Sequence, residues 1–361
     1  MIVPGRLDDM EADLLSHAMR RYPETLAGTR ALNGALDSDS DALTRGELLG
    51  RYVVLDRLGA GGMGVVYAAY DPELDRKVAL KLLLPRQKEG QGDDSDARIR
   101  LQREAQALAR LDHRNVVAIH DVGMLGDRVY LAMEFIEGRT LSAWLQAAPR
   151  GWREVLAVIL AAGEGLAAAH EKGLIHRDIK PDNIMVDGDG RVRVMDFGLA
   201  RTGDEAAAER PALAAGVSHG ADALGSELTR TGSVMGTPAY MAPEQFHGLG
   251  TDARTDQFSL CATAWEALYR QRPFVGDSFA LLAASVVAGR LVSPPPRSPV
   301  PTWLRRVLER GLRNNPAERF PDTQALLAAL RADPTPRRKT MAAAAAVVAV
   351  ALAGYALHST E

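Results

Sequence analysis

The chain has 361 residues, 47% hydrophobic and 25% charged, with a formal net charge of −3. This is ordinary globular composition, which excludes a wholly disordered chain, a collagen-like fibre and a polytopic membrane protein. The near-neutral charge supplies no field for binding nucleic acid. The single cysteine, Cys261, excludes an internal disulfide and a cysteine-based metal site.

Length predicts two or three structural units. Residues 1–50 read as an N-terminal tail, expected to be mobile. Asp8, Asp9, Glu11 and Asp13 fall where a signal peptide needs an apolar run, and residues 33–43 form a polar, turn-rich linker. From Arg51, short β-branched runs predict strands at Tyr52–Leu58, Val65–Tyr70 and Lys77–Leu84. A helix is expected over 97–111, then strands at Val116–Val122 and Val129–Ile136. After Gly138 the pattern becomes helical, most clearly at Leu156–His170, Thr255–Leu268, Ser278–Ala288 and Trp303–Arg313. A strand-rich N-lobe (51–136) followed by a helical C-lobe (139–331) predicts an α+β protein of two lobes with a cleft between them.

Three further segments stand apart. Residues 203–228 are rich in Ala and Gly and read as a flexible insertion. Residues 292–301 are a proline-rich connector. Residues 332–340 form a basic stretch containing Arg337, Arg338 and Lys339, and residues 341–357 carry no charge. A 17-residue apolar run is at the short end of membrane-spanning length, and the basic flank suits a cytoplasmic side. The expectation is a single C-terminal transmembrane helix, holding the two-lobed domain on the cytoplasmic face of an inner or plasma membrane.

The chemistry-bearing residues fall in order along the chain. Gly59-Ala60-Gly61-Gly62-Met63-Gly64-Val65-Val66 follows a predicted strand. Dinucleotide-binding folds share its first six positions, but they place a helix where a strand follows here. Glycines there let backbone N–H groups approach phosphates closely. Lys81 lies inside an apolar strand and needs an anion. Glu104, in the middle of the helical stripe of Leu101, Ala105, Leu108 and Leu111, is the natural partner. Within His176-Arg177-Asp178-Ile179-Lys180-Pro181-Asp182-Asn183, Asp178 can accept a proton and Lys180 is a point charge for phosphate. Asn183, and Asp196 of Asp196-Phe197-Gly198 after a strand at Val192–Met195, supply hard oxygens suited to Mg²⁺.

With Ala242-Pro243-Glu244 added, Arg51 to about Leu330 resembles a eukaryotic-type protein kinase domain, specifically the bacterial membrane-anchored Hanks-type Ser/Thr kinases. The resemblance implies the two-lobed protein kinase fold and an ATP site. That site comprises Leu58, Gly59, Ala60, Gly61, Gly62, Met63, Gly64, Val66, Ala79, Lys81 and the hinge residues Met133, Glu134 and Ile136, with Met133 as gatekeeper. Lys81 would hold the α- and β-phosphates and pair with Glu104, Asp178 would orient and deprotonate the substrate hydroxyl, and Lys180 would neutralise the γ-phosphate. Asn183 and Asp196 would bind Mg²⁺, with Mn²⁺ as a substitute. Glu244, Asp256 and Arg319 would be structural. Arg177 would bind a phosphorylated activation segment, with Thr229 and Thr231 modified in trans by a second copy, and Thr237 would line the substrate site. Protein substrates bearing Ser or Thr are implied, and no nucleic acid.

The chain departs from the family pattern in two places. The segment Asp196–Glu244 spans 49 residues, lengthened by 203–228, and Cys261 follows Ser259-Leu260 where the family usually has Gly. Two competing readings make different demands. A small-molecule phosphotransferase would lack Glu244 in its setting. A membrane-tethered pseudokinase scaffold would lack Lys81, Asp178 or Asp196, and all three are present.

Overall fold

The structure, a computed structural model, describes residues 43–61, 64–83, 105–125, 128–197 and 237–333. Strands β1 (Leu48–Leu49), β2 (Tyr52–Gly61), β3 (Gly64–Asp71), β4 (Arg76–Leu83), β5 (Ile119–Leu125) and β6 (Arg128–Glu134) form one antiparallel sheet in the order β1-β2-β3-β4-β6-β5. Residues 105–109, here α1, are helical.

The period of two along the strands explains both faces of this sheet. Val78, Leu80 and Leu82 of β4 pair with Ala69, Tyr67 and Val65 of β3. These residues, with Tyr52, Val54 and Ala132, make the core of the lobe. The residues between them, Ala79 and Lys81, point to the opposite face.

β1 corrects the expected lobe boundary at residue 51. Leu49 is fully buried, Leu43 packs on the same core, and the Leu43 backbone N–H donates to the Tyr67 hydroxyl at 3.1 Å. Residues 43–50 therefore belong to the N-lobe rather than to a tail.

The strand expected from Val116 begins only at Ile119. Residues 115–118 instead run between the lobes. Val117 N–H donates to Val194 O at 3.0 Å, Val194 N–H to Asn115 O at 2.9 Å, and Glu134 N–H to Ala118 O at 2.8 Å.

The C-lobe opens with a small sheet, β7 (Gly138–Thr140), β8 (Ile184–Asp187) and β9 (Val192–Val194), paired in that order. Its helices are α2 (Leu141–Ala147), α3 (Trp152–Glu171), α4 (Pro243–Phe246), α5 (Ala253–Tyr269), α6 (Phe279–Val287), α7 (Thr302–Gly311) and α8 (Thr323–Arg331). Helices α2, α6 and α8 start on Thr140, Ser278 and Asp322, whose side chains each accept a first-turn N–H.

Helix α5 is buried almost all round and packs against α3, α7 and α8. Two of its buried polar side chains turn to fixed partners: Ser259 donates to Tyr240 O at 2.8 Å, and Thr255 to Glu244 Oε1 at 2.8 Å. Among the described residues no helix is long and apolar enough to cross a membrane. The expected span 341–357, the basic stretch from residue 334 onward and the insertion 203–228 lie outside the described residues.

Candidate active site

The register of the N-lobe sheet gathers one set of side chains on the cleft face. Gly59 pairs with Val66, Val66 with Lys81, Lys81 with Leu131, and Ala79 with Met133, so these positions share a face. Leu58 and Ala60 flank Gly59 on β2, Leu58 lying within the shift in the β2–β3 register between Arg57 and Gly59. Gly64 has φ +147°, and a Cβ there would strike the Leu82 carbonyl oxygen, so the start of β3 demands glycine. At Gly59 and Gly61 a Cβ would meet nothing within 4 Å. Their bareness is not required by packing; it leaves open space above the strand ends. Gly62 and Met63 lie outside the described residues.

Lys81 is buried, and its ammonium reaches Asp196 Oδ1 at 2.8 Å across the cleft. Burial pushes the Asp196 carboxyl up, but Lys81 more than offsets this and holds it below the ordinary aspartate range. The expected partner Glu104 lies outside the described residues, so the ion pair seen for Lys81 is the one to Asp196. Asp196 itself sits at φ +57°, in the left-handed region. Phe197 beside it packs on the His176 ring, with centroids 4.6 Å apart.

On the C-lobe side, a short loop presents Asp178. Lys180 Nζ lies 2.9 Å from Asp178 Oδ2, and Asn183 Nδ2 donates to Asp178 O at 2.7 Å and to Asp178 Oδ2 at 3.2 Å. Pro181–Asn183 form a 3₁₀ turn that carries Asn183 back under Asp178. Met195 N–H donates to Asn183 O at 2.9 Å, which holds the Asp196 turn beside Asn183.

The loop is strained and held from below. Arg177 has φ +65°, a conformation that costs about 1–3 kcal/mol for a side chain of this kind. Asp256, fully buried near the start of α5, accepts the N–H groups of both His176 and Arg177 at 2.7 Å. Burial would raise the Asp256 carboxyl, but His170, His176 and these N–H donors hold it below its usual value. Burial pushes the His176 imidazole down, so its neutral ring is favoured, and its Nε2 meets Met195 O at 2.7 Å. The Arg177 guanidinium Nε donates to Thr251 Oγ1 at 3.1 Å, and Gln245 Nε2 holds the Arg177 carbonyl at 2.9 Å. Glu244 meets Arg319 through two parallel contacts of 2.8 Å.

Residues 52–329 match the family description "Protein kinase domain". The chain belongs to the protein kinase family. Among its relatives, the Serine/threonine-protein kinase PknL of Mycobacterium tuberculosis is 37% identical over 298 residues, covering 81% of this chain and 68% of PknL. PknD of the same organism is 36% identical over 289 residues, covering 78% of this chain but 39% of PknD. The crystal structure of the M. tuberculosis PknI kinase domain superposes with a TM-score of 0.57 at 28% identity, covering 80% of this chain and 98% of that one. The kinase therefore falls in the bacterial Hanks-type Ser/Thr branch, and its strand-rich N-lobe and helical C-lobe are those of the family.

Kinases of this family use ATP and a divalent metal. The residues present fit both. The open space over Gly59 and Gly61 lies on the same sheet end as Lys81. Among the described residues no three His, Cys, Asp or Glu side chains converge to hold an ion alone. Asn183 and Asp196 offer two hard oxygen ligands, which suits an ion that keeps its other positions for phosphate and water. Asn183 spends its amide N–H₂ on Asp178, which leaves its side-chain oxygen as the ligand.

The hinge carries an interaction that motif reading missed. Arg193 on β9 approaches both carboxylate oxygens of Glu134, at 3.3 and 3.4 Å, and so ties the hinge to the strand leading into Asp196. Ile136 follows two residues on, beyond the end of β6. His170 was also unmarked by any motif, yet its Nε2 lies 2.7 Å from Asp256 Oδ2. Thr229 and Thr231 lie outside the described residues, as does the side chain of Thr237.

Proposed function

We propose that this kinase transfers the γ-phosphoryl group of ATP, bound with Mg²⁺ or with Mn²⁺ as a substitute, to Ser and Thr hydroxyls of proteins. The observation that carries the reading is the approach of two charged clusters across one cleft: Lys81 on Asp196, and Lys180 and Asn183 on Asp178. The metal, when bound, neutralises phosphate charge; Asn183 and Asp196 are the residues that would hold it. Lys81 would hold the α- and β-phosphates beneath the turn of Gly59 to Gly64, and the hinge at Met133, Glu134 and Ile136 would orient the base.

Asp178 accepts the proton of the incoming hydroxyl as its oxygen takes the γ-phosphoryl group and ADP leaves. Lys180, whose Nζ stands beside the Asp178 carboxylate, would neutralise the γ-phosphate as it is transferred. Positioning and charge stabilisation supply most of the rate.

Three finer readings belong to the same proposal. Thr229 and Thr231 are modified in trans by a second copy, and Arg177 then pairs with the phosphate in a charge-assisted way. Residues 341–357 span a membrane once, with the basic residues before them on the cytoplasmic side. Glu104 joins Lys81 in the active state.

The test is phosphate transfer to a Ser/Thr peptide by the purified chain with Mg-ATP, beside Asp178→Asn, with the modified sites located by mass spectrometry. Asp178-dependent transfer and phosphate at Thr229 or Thr231 support the reading. Transfer that survives Asp178→Asn overturns the catalytic assignment, and active protein unmodified at both threonines overturns the activation scheme. Release of the chain from membranes by alkaline carbonate would remove the membrane assignment.

A further inference from the structure

The last helix of the C-lobe touches the catalytic loop through a chain of three side chains. Thr323, the first residue of α8, is buried, and its Oγ1 lies 2.9 Å from His170 Nδ1 near the end of α3. The other ring nitrogen, His170 Nε2, lies 2.7 Å from Asp256 Oδ2 on α5. Asp256 Oδ2 and Oδ1 in turn accept the N–H groups of His176 and Arg177, directly before Asp178.

The proton positions follow from donor and acceptor chemistry. An ionised carboxylate only accepts, so His170 Nε2 must carry a hydrogen. In the neutral ring, Nδ1 is then an acceptor, and the Thr323 hydroxyl must donate to it. A threonine hydroxyl can donate or accept, but a valine in its place can do neither. Without it, Nδ1 loses its partner in a buried setting, and the ring has less reason to keep its Nε2–H on Asp256. Asp256 would then grip the strained Arg177 turn less firmly.

We propose that Thr323 is a positioning residue for phosphoryl transfer: its hydroxyl fixes the His170 tautomer that orients Asp256, and so couples the seating of α8 to the catalytic loop. This rests on Asp178 being the group that receives the substrate proton.

The test compares Thr323→Val, which keeps size and burial, with Thr323→Ser, which keeps the hydroxyl, in the full chain. Thr323→Val should lower kcat about fivefold to tenfold while KM for ATP stays within about twofold, consistent with the loss of one buried hydrogen bond of about 1 kcal/mol. Thr323→Ser should restore kcat to within about twofold. Nitrogen-15 NMR of the imidazoles, with His170 assigned by the loss of its signal in His170→Gln, reads the tautomer directly. The parent and Thr323→Ser should show the Nε2–H form, and Thr323→Val a mixture. An unchanged kcat in folded Thr323→Val, failure of Thr323→Ser to rescue, or a His170 ring protonated on both nitrogens in the parent would each overturn the relay. A parent protein without Asp178-dependent transfer would instead overturn the proposed function, while the NMR signals still decide the relay.

Discussion

Arg319 spends all five of its N–H donors. Nη1 reaches Glu244 Oε1 and Arg254 O, Nη2 reaches Glu244 Oε2 and Asn314 O, and Nε reaches Arg313 O, at 2.8–3.1 Å. Removing one partner of a buried pair leaves an uncompensated charge, so Arg319→Ala should cost about 3–5 kcal/mol in urea unfolding. Arg319→Lys should recover little of it, because an ammonium cannot present that planar fork; near-parental stability in either variant would contradict the assignment. At Asp178 the expectation is kinetic. Asp178→Asn should lower kcat about 10²–10⁴-fold with little change in the denaturation midpoint.

The buried ionisable groups also fix how stability follows pH. His176 is held below its unfolded value near 6.5, so between the two values the unfolded chain binds more protons and stability falls as pH drops. Asp196, Glu244 and Asp256 are all depressed, so the stability they add is whole above about pH 4 and is lost as pH falls through their folded values. The urea midpoint should decline below about pH 6.5 and more steeply below about pH 4, with a shallower acid limb in Glu244→Gln. A midpoint flat down to pH 4 would count against the buried neutral histidine.

Among the elements, the glycine hairpin separates two roles within one motif. Gly64→Ala should destabilise the N-lobe, since both its φ and the Leu82 carbonyl exclude a side chain. Gly61→Ala should fold normally and raise KM for ATP, since a Cβ there meets nothing in the protein. Equal losses of stability in the two would refute this division.

How far the elements could be read depended on their length. The longer helices were legible because an apolar stripe repeats several times along each; Leu156–His170 lies inside α3 (Trp152–Glu171). The motif residues of the loop were legible because their partners are a few residues away, as Asp178, Lys180 and Asn183 are. The β7–β8 pair was not legible. Each strand has three or four residues, too few to show a period, and Gly138 pairs with Asp187 far along the chain. Residues 116–118 carry strand-like side chains, but their hydrogen bonds split between the lobes, Val117 bonding Val194 of β9 and Ala118 bonding Glu134 at the end of β6, so no regular strand forms before Ile119. Nothing in the sequence pattern marks His170 or Thr323, because their importance comes only from where α3, α5 and α8 cross.

At the scale of the whole molecule, the N-lobe boundary matters for any shortened protein. A chain beginning at Arg51 loses β1 and the fully buried Leu49, a loss of about 1.5–3 kcal/mol for that side chain alone. It should melt earlier than one beginning at residue 43; equal melting temperatures would show that β1 adds nothing.

The C-lobe has its own internal witness. Cys261 is the only cysteine in the chain, is buried in α5, and faces Gly311 of α7 so closely that any side chain at Gly311 would strike its Sγ. Burial pushes its thiol up to about 12, which leaves almost no thiolate at neutral pH. A thiol-alkylating reagent should therefore label the folded protein only when α5 and α7 part. Pulsed alkylation read by mass would then clock the opening of the C-lobe, one tag per event, with no probe to be engineered in.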